Sequence, residues 1–596
     1  MQTATYKEKN RNTELYRIFH RMADCYRYLG RNERFRAVAY EAASRTLANL
    51  RRDIITYADD IHKLDQLKGI GQGIAEKIVE YIQTGRIRTY EQLKQQVPEE
   101  LLELMDVNGF GPATIRLLHD KLNVSNRREL IDAIRAGKLE GIRGIGPKKT
   151  EHMKRGLKIY KDAEPRMLLW DAILCGQEIL RAVRPLPGVE KAELAGSLRR
   201  GKETVGDIDI VIQADKSIRV GLVNRLTRMR QVESVAASGE TRISMVLTNK
   251  IQVDIRIVEE KEFGAAMLYL TGSKEHNIKM RALAAGKNCK LNEYGLFNKR
   301  TGAHIAGRTE EEIYRRLGLQ YIAPELREDA GEIVLASRQR VPSLVSFNHI
   351  KGDMQMHSRW SDGEDTIEHI AQYLMNAFPH YEYMVVTDHS PNARIAHGLQ
   401  PEEFIRQFAE IDKINAKLEY NFVKKGVETD ILDDGSLDLP DDMLQQFDWV
   451  IASIHSGFTD DNTQRLLKAC ENPYVHCIGH PSGRLIGNRD PYPVNWERLF
   501  NKAAATGTAI EINAQPCRLD LRDDLARTAV EKGVQLAINT DAHTLIQFDY
   551  MQLGVSQARR AGCRRQDILN TMHWDDILKF KANKLRLFTK KQSERS

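Results

Sequence analysis

The sequence predicts a multidomain chain: a helical N-terminal region, an α+β module, and a C-terminal barrel of parallel strands and helices. Three observations carry this. Residues 1–165 read as helices punctuated by short glycine turns. After residue 166, VGDIDIVIQA and KIQVDIRIV alternate with the period of a strand. From Ile350 onward, short apolar runs alternate with amphipathic helices, the signature of repeated βαβ units. A chain of 596 residues is too long for one compact core.

Composition narrows the class. A hydrophobic content of 42% beside 29% charged residues is that of a globular protein and excludes wholesale disorder. The net charge of +7 permits nucleic-acid binding without demanding it. Cys25, Cys175, Cys289, Cys470, Cys477, Cys517 and Cys563 are scattered with no CxxC pair. That excludes a zinc ribbon or a disulfide framework and fits a reducing cytosol. The opening MQTATYKEKNRNTELYRIF is too polar for a signal peptide, and no stretch approaches the roughly 18 apolar residues of a membrane span. A cytoplasmic protein with no membrane partner is expected.

In the helical region one grammar recurs: LKGIGQGIAEKI (Leu67–Ile78), MDVNGFGPATI (Met105–Ile115) and IRGIGPKKT (Ile142–Thr150). Each is an apolar helix end, then glycine–apolar–glycine, then a new helix. The glycines allow a tight turn and leave no side chain in the way. Amides at the next helix's N-terminus then face outward as an anion site. The three segments resemble the helix–hairpin–helix motif, which grips DNA phosphates without reading bases. Expected phosphate contacts are Gly69, Gly71 and Gly73; Gly109 and Gly111; and Gly144, Gly146, Lys148 and Lys149.

The strand segment AGSLRRGKETVGDIDIVI (Ala195–Ile212) is the most informative. A period of two sets Asp207 and Asp209 on one face and Ile208 and Ile210 on the other. In KIQVDIRIV, Asp254 shares a face with Gln252 and Arg256. Neighbouring strands would bring three carboxylates together, which disfavour one another unless cations intervene. Such hard oxygen ligands suit Mg²⁺, and two ions can support in-line phosphoryl displacement. The turn GSLRRG upstream, with Ser197 and Arg200, would hold a triphosphate.

The segments GSLRRG…GDIDIVI, VDIRIV and LYLTGSKEHNIKMR…LNEYGLF resemble family X DNA polymerases, in that order, over about residues 1–330. The resemblance implies that Asp207, Asp209 and Asp254 are metal-binding catalytic aspartates using Mg²⁺ or Mn²⁺. It implies that Ser197, Arg200 and Gly206 bind the triphosphate, that Tyr269, Thr271 and Gly272 lie beside the incoming sugar, and that Asn277 and Arg281 lie near base and template. Leu270 replaces the second aromatic residue of the family's pair, which relaxes the expected exclusion of ribonucleotides. Lys274, Glu275 and His276 also depart from the vertebrate pattern. Lys77, in GIAEKIVEYI, aligns with a lysine that opens 5′-deoxyribose phosphate ends; the helix pattern places it opposite the apolar face, and a solvated or phosphate-binding lysine is the alternative.

Past Ile350, strand after strand ends in metal-type residues: GDMQMHSRWSDG, YMVVTDHS, FVKKGVE, WVIASIH, VHCIGHPSGR, TAIEINA and VQLAINTDAH. Barrel folds place their chemistry at that end. These segments resemble the polymerase and histidinol phosphatase (PHP) superfamily, a distorted (β/α)₇ barrel with up to three metal ions, over about residues 350–580. The resemblance implies His357, Asp362, His389, Glu428, His455, His480, Asp541 and His543 as ligands of Mn²⁺, Zn²⁺ or Fe. Gln355 stands where the superfamily has its first histidine, offering only an amide.

The expected organisation is residues 1–95 as a helical, lyase-like DNA-binding domain, 96–165 as a fingers-like region with two further hairpins, 166–262 as a nucleotidyltransferase palm and 263–332 as a thumb. A linker at 333–349 around Pro342 would lead to the barrel at 350–585, and the basic tail after Leu587 reads as a solvated end. Together these imply a monomeric enzyme that fills short gaps in base excision or end-joining repair, acting on gapped or nicked duplex DNA with dNTPs. The barrel would add 3′→5′ exonuclease or DNA-end phosphoesterase activity. The alternative is a DNA-end scaffold with one or both catalytic domains silent.

Overall fold

A computed structural model describes residues 11–50, 54–58, 61–67, 69–97, 112–124, 127–139 and 166–593, with isolated positions at 142, 145, 146, 150 and 153. Gly109, Gly111, Gly144, Lys148 and Lys149 lie outside the described residues. The chain forms two compact units, one of residues 1–164 with 487–489 and one of residues 165–486 with 490–596.

The first unit is helical, with helices at Arg11–Leu29, Arg34–Asn49, Ile61–Asp65, Gln72–Thr84, Arg88–Gln96, Pro112–Leu122 and Arg127–Arg135 around a core that includes Leu15, Phe19, Met22 and Leu47. The hairpin grammar acquires a physical basis here. Ile70 and Ile145 are buried between their glycines, and the amide of each donates to the carbonyl three residues back at 2.9 Å. Gly71 and Gly146 then each accept a helix-opening bond, from Ala75 and Thr150, at 3.0 Å. Gly69 has φ +83° and sits against Ala42 and Thr46, so glycine is required there by backbone and space alike. Around Gly71, Gly73 and Gly146 no atom of the described residues would come within 4 Å of a Cβ.

The second unit begins with a five-stranded sheet: β1 (Val189–Leu194), β2 (Asp207–Ala214), β3 (Val232–Ser238), β4 (Arg242–Leu247) and β5 (Gln252–Val258). Their order is β1-β2-β5-β4-β3, with β2 and β5 parallel and the other pairs antiparallel. Ile208, Ile210, Val253 and Ile255 face a core shared with the helix Leu169–Val183. A smaller module follows, in which the helices Phe263–Thr271 and Lys274–Gly286 pack with a three-stranded meander around Leu268, Met280 and Ile313.

Seven parallel strands make the barrel: β6 (Gly352–Asp353), β7 (Tyr383–Val386), β8 (Val423–Asp430), β9 (Trp449–Ser453), β10 (Cys477–Ile478), β11 (Ala509–Asn513) and β12 (Leu536–Asn539). They pair in sequence order. A bridge between Met356 and Ala542, with His357 donating to the Ala542 carbonyl at 2.8 Å, brings the first and last strands together into a nearly closed barrel. Helices cover the outside, as βαβ connections require.

The helix Trp574–Ser593 runs on past Leu587, where Phe588 is half-buried and Thr589 exposed. Trp574, Ile577 and Phe580 of that helix pack against Tyr383, Val385, Trp449 and Ile451 from the strands. Its Lys584 is buried, donating to Thr508 Oγ1 at 2.5 Å and to the Cys470 carbonyl at 3.3 Å, and burial pushes its pKa down to about 8. The segment before the barrel is a packed connector. Val341 and Leu344 join the small module's core, and Val345 is buried in the barrel's.

Sheet and barrel share a core as well as a unit. Leu519 and Leu553 from the barrel are buried among the sheet's apolar residues, and the Trp170 and Tyr550 rings meet edge-on at 5.2 Å. Beside them Arg484 donates to both carboxylate oxygens of Glu203, at 3.0 and 2.6 Å, while Gln557 donates to the same carboxylate at 3.1 Å. Arg484 is 7% exposed and also donates to the Arg518 and Leu519 carbonyls, while Glu203 is half-buried. Glu203→Ala is expected to lower the unit's stability by about 2 kcal/mol, the cost of losing charge-assisted hydrogen bonds to a buried guanidinium. A chemical-denaturation midpoint unchanged by that substitution would contradict this.

Candidate active sites

Alternation on β2 places Asp207 and Asp209 on one face, and the parallel register sets Asp254 of β5 opposite Asp209. The turn before β2 is laced to it: the Ala195 amide donates to the Asp209 carbonyl at 2.8 Å. Gly196, at φ +62°, lies so close that a Cβ there would meet Asp209 Oδ2 at 2.1 Å. Burial, then Asp207 and Asp254, raise the Asp209 pKa to about 7, against the opposing pull of Arg200 and Arg242. Asp254 Oδ2 accepts from Gln252 at 2.7 Å, whereas its buried Oδ1 has no hydrogen bond among the described residues and lies 3.7 Å from Arg242. A carboxylate cluster that holds a proton near neutrality and leaves an acceptor unused fits a divalent cation.

The other expected residues of this region fall around the triad. Arg200 donates to the Thr271 carbonyl at 2.5 Å and to Glu328 at 3.0 Å, so it bridges sheet and small module. Thr271 is buried, its hydroxyl accepting from Arg199 at 2.8 Å, and Gly272 follows with φ +72°. Asn277 donates to the Tyr269 carbonyl at 2.7 Å, and Tyr269, Asn277 and Arg281 line one small pocket. Leu270 packs against a cluster containing Ala195 and Val211. Ser197 and Gly206 are half-buried. In the other unit Lys77 is half-buried rather than fully solvated, and its Nζ donates to the Gly73 carbonyl at 2.9 Å.

In the barrel the strand ends converge. Three groups have ligand atoms within 4.8 Å of one another: His357, Asp362, His389 and His543; His389, Glu428 and His455; and His357, Glu428 and Asp541. Glu428 is central, with His480 at 3.0 Å, His389 at 3.4 Å, His357 at 3.5 Å and His455 at 3.6 Å. Asp541 lies 3.0 Å from His357, and Asp362 lies 3.4 Å from His543. Burial opposes charge on His357, but Asp541, Asp362 and Glu428 outweigh it and raise its pKa to about 10. Burial and the neighbouring His357 lower His389 to about 4. The Nδ1 atoms of His357, His389 and His480 are buried without a hydrogen bond among the described residues. A mixed imidazole–carboxylate set with orphaned ring nitrogens fits bound metal. Gln355 is fully buried and neither atom of its amide finds a hydrogen bond among the described residues.

Several participants escaped the sequence reading. Asp430 receives His455 Nδ1 at 2.5 Å, which orients that ring. Glu511 accepts from the His480 amide at 2.6 Å and from Asn539 at 2.7 Å, and burial with Asp541 nearby pushes its pKa well up. Asp388 accepts from Ser358, Ser361 and Gln407 at 2.5–2.7 Å and braces the loop after His357. The alternation of Glu428 with Asp430 on β8 was the available signal for the first, and the strand-end position of Glu511 for the second.

With both geometries in hand, the chain can be set beside known proteins. It is 37% identical over 551 residues to the DNA polymerase/3'-5' exonuclease PolX of Bacillus subtilis (strain 168), covering 92% of this chain and 95% of that one. The chain belongs to the PolX family. Within this PolX chain, residues 266–328 match the DNA polymerase beta thumb, 10–87 a helix-hairpin-helix domain and 101–158 a SAM-like helix-hairpin-helix tandem. DNA polymerase lambda of Rattus norvegicus is 27% identical over 355 residues, 55% of this chain and 58% of its own. A probable phosphatase of Thermoanaerobacter sp. (strain X514) is 30% identical over 203 residues, 32% of this chain and 78% of its own.

Two outcomes follow from the electrostatics. The folded state keeps a proton on Asp209 that the unfolded chain releases, so the metal-free fold loses stability as pH rises from about 4 to 7. Asp209→Asn is expected to flatten that slope, raise the metal-free melting point near neutral pH by a few degrees, and abolish stabilisation by Mg²⁺. Thermal melts with and without Mg²⁺ across that range check it. Metal bound at this cluster through His357 would displace the proton that this ring holds near neutrality, so Mn²⁺ or Zn²⁺ loading should release about one proton per protein. Calorimetry in two buffers of different ionisation enthalpy measures this; identical heats in both would contradict it.

Proposed function

We propose that this PolX-family enzyme fills short gaps in duplex DNA during repair, with the triad of Asp207, Asp209 and Asp254 as its nucleotidyl-transfer centre and the barrel cluster as its 3′→5′ exonuclease. The observation that supports the first assignment most directly is the parallel register that sets Asp254 opposite Asp209 beside a turn too tight for any side chain at Gly196. Mg²⁺ or Mn²⁺ held by the three carboxylates would neutralise the transferring phosphates and favour ionisation of the primer 3′-hydroxyl.

The chain's own residues do the rest. Ser197, Arg200 and the backbone at Gly206 orient the triphosphate, with the guanidinium as the bidentate donor phosphates prefer. Thr271 and Gly272 shape the wall beside the sugar, and the bond from Asn277 to the Tyr269 carbonyl holds both at the edge of the pocket that Arg281 completes. At the first hairpin the open space around Gly71 and Gly73 favours backbone contact with a DNA phosphate. Gly146 supports the same role for the third hairpin. Lys77, bonded to the Gly73 carbonyl beside that surface, is assigned to 5′-phosphate binding.

In the barrel, His357, Asp362, His389, Glu428, His455, His480, Asp541 and His543 would hold up to three Mn²⁺, Zn²⁺ or Fe ions, which would supply Lewis acidity and charge neutralisation for phosphodiester hydrolysis by water. Asp430 fixes the His455 ring, and Glu511 fixes the backbone carrying His480, so that these rings meet their ligands without reorganising.

A 5′-phosphorylated duplex with a one-nucleotide gap and a labelled primer tests both assignments, with and without dNTPs, under Mg²⁺ or Mn²⁺. Asp254→Ala should reduce templated extension by about 10³-fold while primer shortening persists, and His455→Ala should do the reverse. Extension that survives Asp254→Ala would refute the triad. Full-length protein that extends nothing under either metal would leave a DNA-end scaffold as the better account.

A further inference from the structure

Arg560 belongs to the barrel, yet it is built into the turn that carries Ser197 and Arg200. It lies on the helix Met551–Ala561 and is 3% exposed. Its Nη1 donates to the Arg200 carbonyl at 2.8 Å and to Glu328 Oε1 at 2.9 Å, and its Nη2 donates to Asp523 at 2.6 Å. The same Glu328 oxygen accepts from Arg200 Nε at 3.0 Å, so one carboxylate holds two guanidinium groups. Burial works against a charge on Glu328, but Arg200 and Arg560 outweigh it and keep its pKa below the ordinary range. Contact is close on the backbone side too: Gly201 has φ +65°, and a Cβ there would lie 2.0 Å from Ser556 Oγ of the same helix.

Docking the barrel does not require this arrangement. Leu519, Leu553 and the Trp170–Tyr550 contact supply apolar burial, and Arg484 with Glu203 supplies a separate ion pair. What Arg560 adds is direction. Its Nη1 bonds the main chain of Arg200 and, through Glu328, the side chain of Arg200, while Nη2 anchors the guanidinium on Asp523, so both ends of Arg200 are held by one fixed, planar group. A guanidinium held in place spends less entropy when a triphosphate arrives.

We propose that Arg560 is a positioning residue for nucleotide binding: the barrel helix fixes the turn Gly196–Gly201 and the Arg200 guanidinium, and thereby sets the enzyme's affinity for the incoming dNTP. The proposal rests on the reading of Ser197, Arg200 and Gly206 as the triphosphate site. The polymerase of this protein therefore has a determinant in the domain that houses its nuclease.

Steady-state filling of a one-nucleotide gap by the full-length chain tests this, with exonuclease rate in the absence of dNTPs and thermal midpoint measured in parallel. Arg560→Ala is expected to raise KM for dNTP about tenfold, with kcat and exonuclease rate changed no more than about twofold. Arg560→Lys, which keeps charge and one donor, should recover part of that loss. It also carries the test should the alanine variant not fold. Because the two arginines act in series, Arg200→Ala combined with Arg560→Ala should raise KM no further than Arg200→Ala alone. An unchanged KM, an equal loss of both activities, or an additive double variant overturns the proposal alone. If Arg200→Ala leaves KM unchanged, the triphosphate reading itself falls and takes the proposal with it.

Discussion

Carboxylates crowded beyond what their own surroundings can neutralise govern this enzyme's larger unit. At Asp209 the crowding comes from two flanking aspartates and a turn whose backbone presses against the carboxyl, leaving Arg200 and Arg242 as the nearby positive charge. At Glu428 four imidazoles gather within 3.6 Å, and in the metal-free state a proton on His357 carries part of the balance. Each centre is carried by strands whose burial of Ile208, Ile210, Val253 and the barrel's apolar residues opposes that electrostatic cost. Divalent cations held by these groups would relieve it.

The two centres are tied to each other through covalently short paths. Glu203 lies four residues before Asp207, and its partner Arg484 lies four residues after His480. A movement of either loop therefore loads a buried ion pair at the root of the other. Around it, apolar side chains from the barrel complete the core of the five-stranded sheet, so that sheet and barrel behave as one body in the arrangement described.

Much of this was legible in the sequence because it rests on periodicity. The alternation of Asp207 and Asp209 with isoleucines, and the repeated apolar runs ending in histidine or acid, state the fold class directly, and the PolX relationship agrees with it. Register was not legible: only pairing shows that Asp254 stands opposite Asp209 rather than one residue along. Residues acting through others were also missed. Asp388, Asp430 and Glu511 look like ordinary strand-end acids until their donors appear from segments far away in sequence. In the helix Trp574–Ser593, Trp574, Ile577 and Phe580 recur on the face that meets the strands, although charged residues dominate the local sequence. The interface residues Arg484 and Arg560 carry no motif, and only three-dimensional contact reveals them.

The span of these contacts bears on how the molecule is made. Glu203 waits for a partner 281 residues later in the chain, and Arg200 for one 360 residues later. A ribosome delivers the sheet and its nucleotide turn long before it delivers the barrel helix that braces them. Contacts over such separations carry a loop-closure entropy cost and slow folding. The five-stranded sheet thus spends most of its biosynthesis with Leu519 and Leu553 missing from its core, a period in which apolar surface meant for the barrel faces solvent. Bracing of the nucleotide turn therefore has to await the helix Met551–Ala561, which ties completion of the polymerase centre to folding of the barrel.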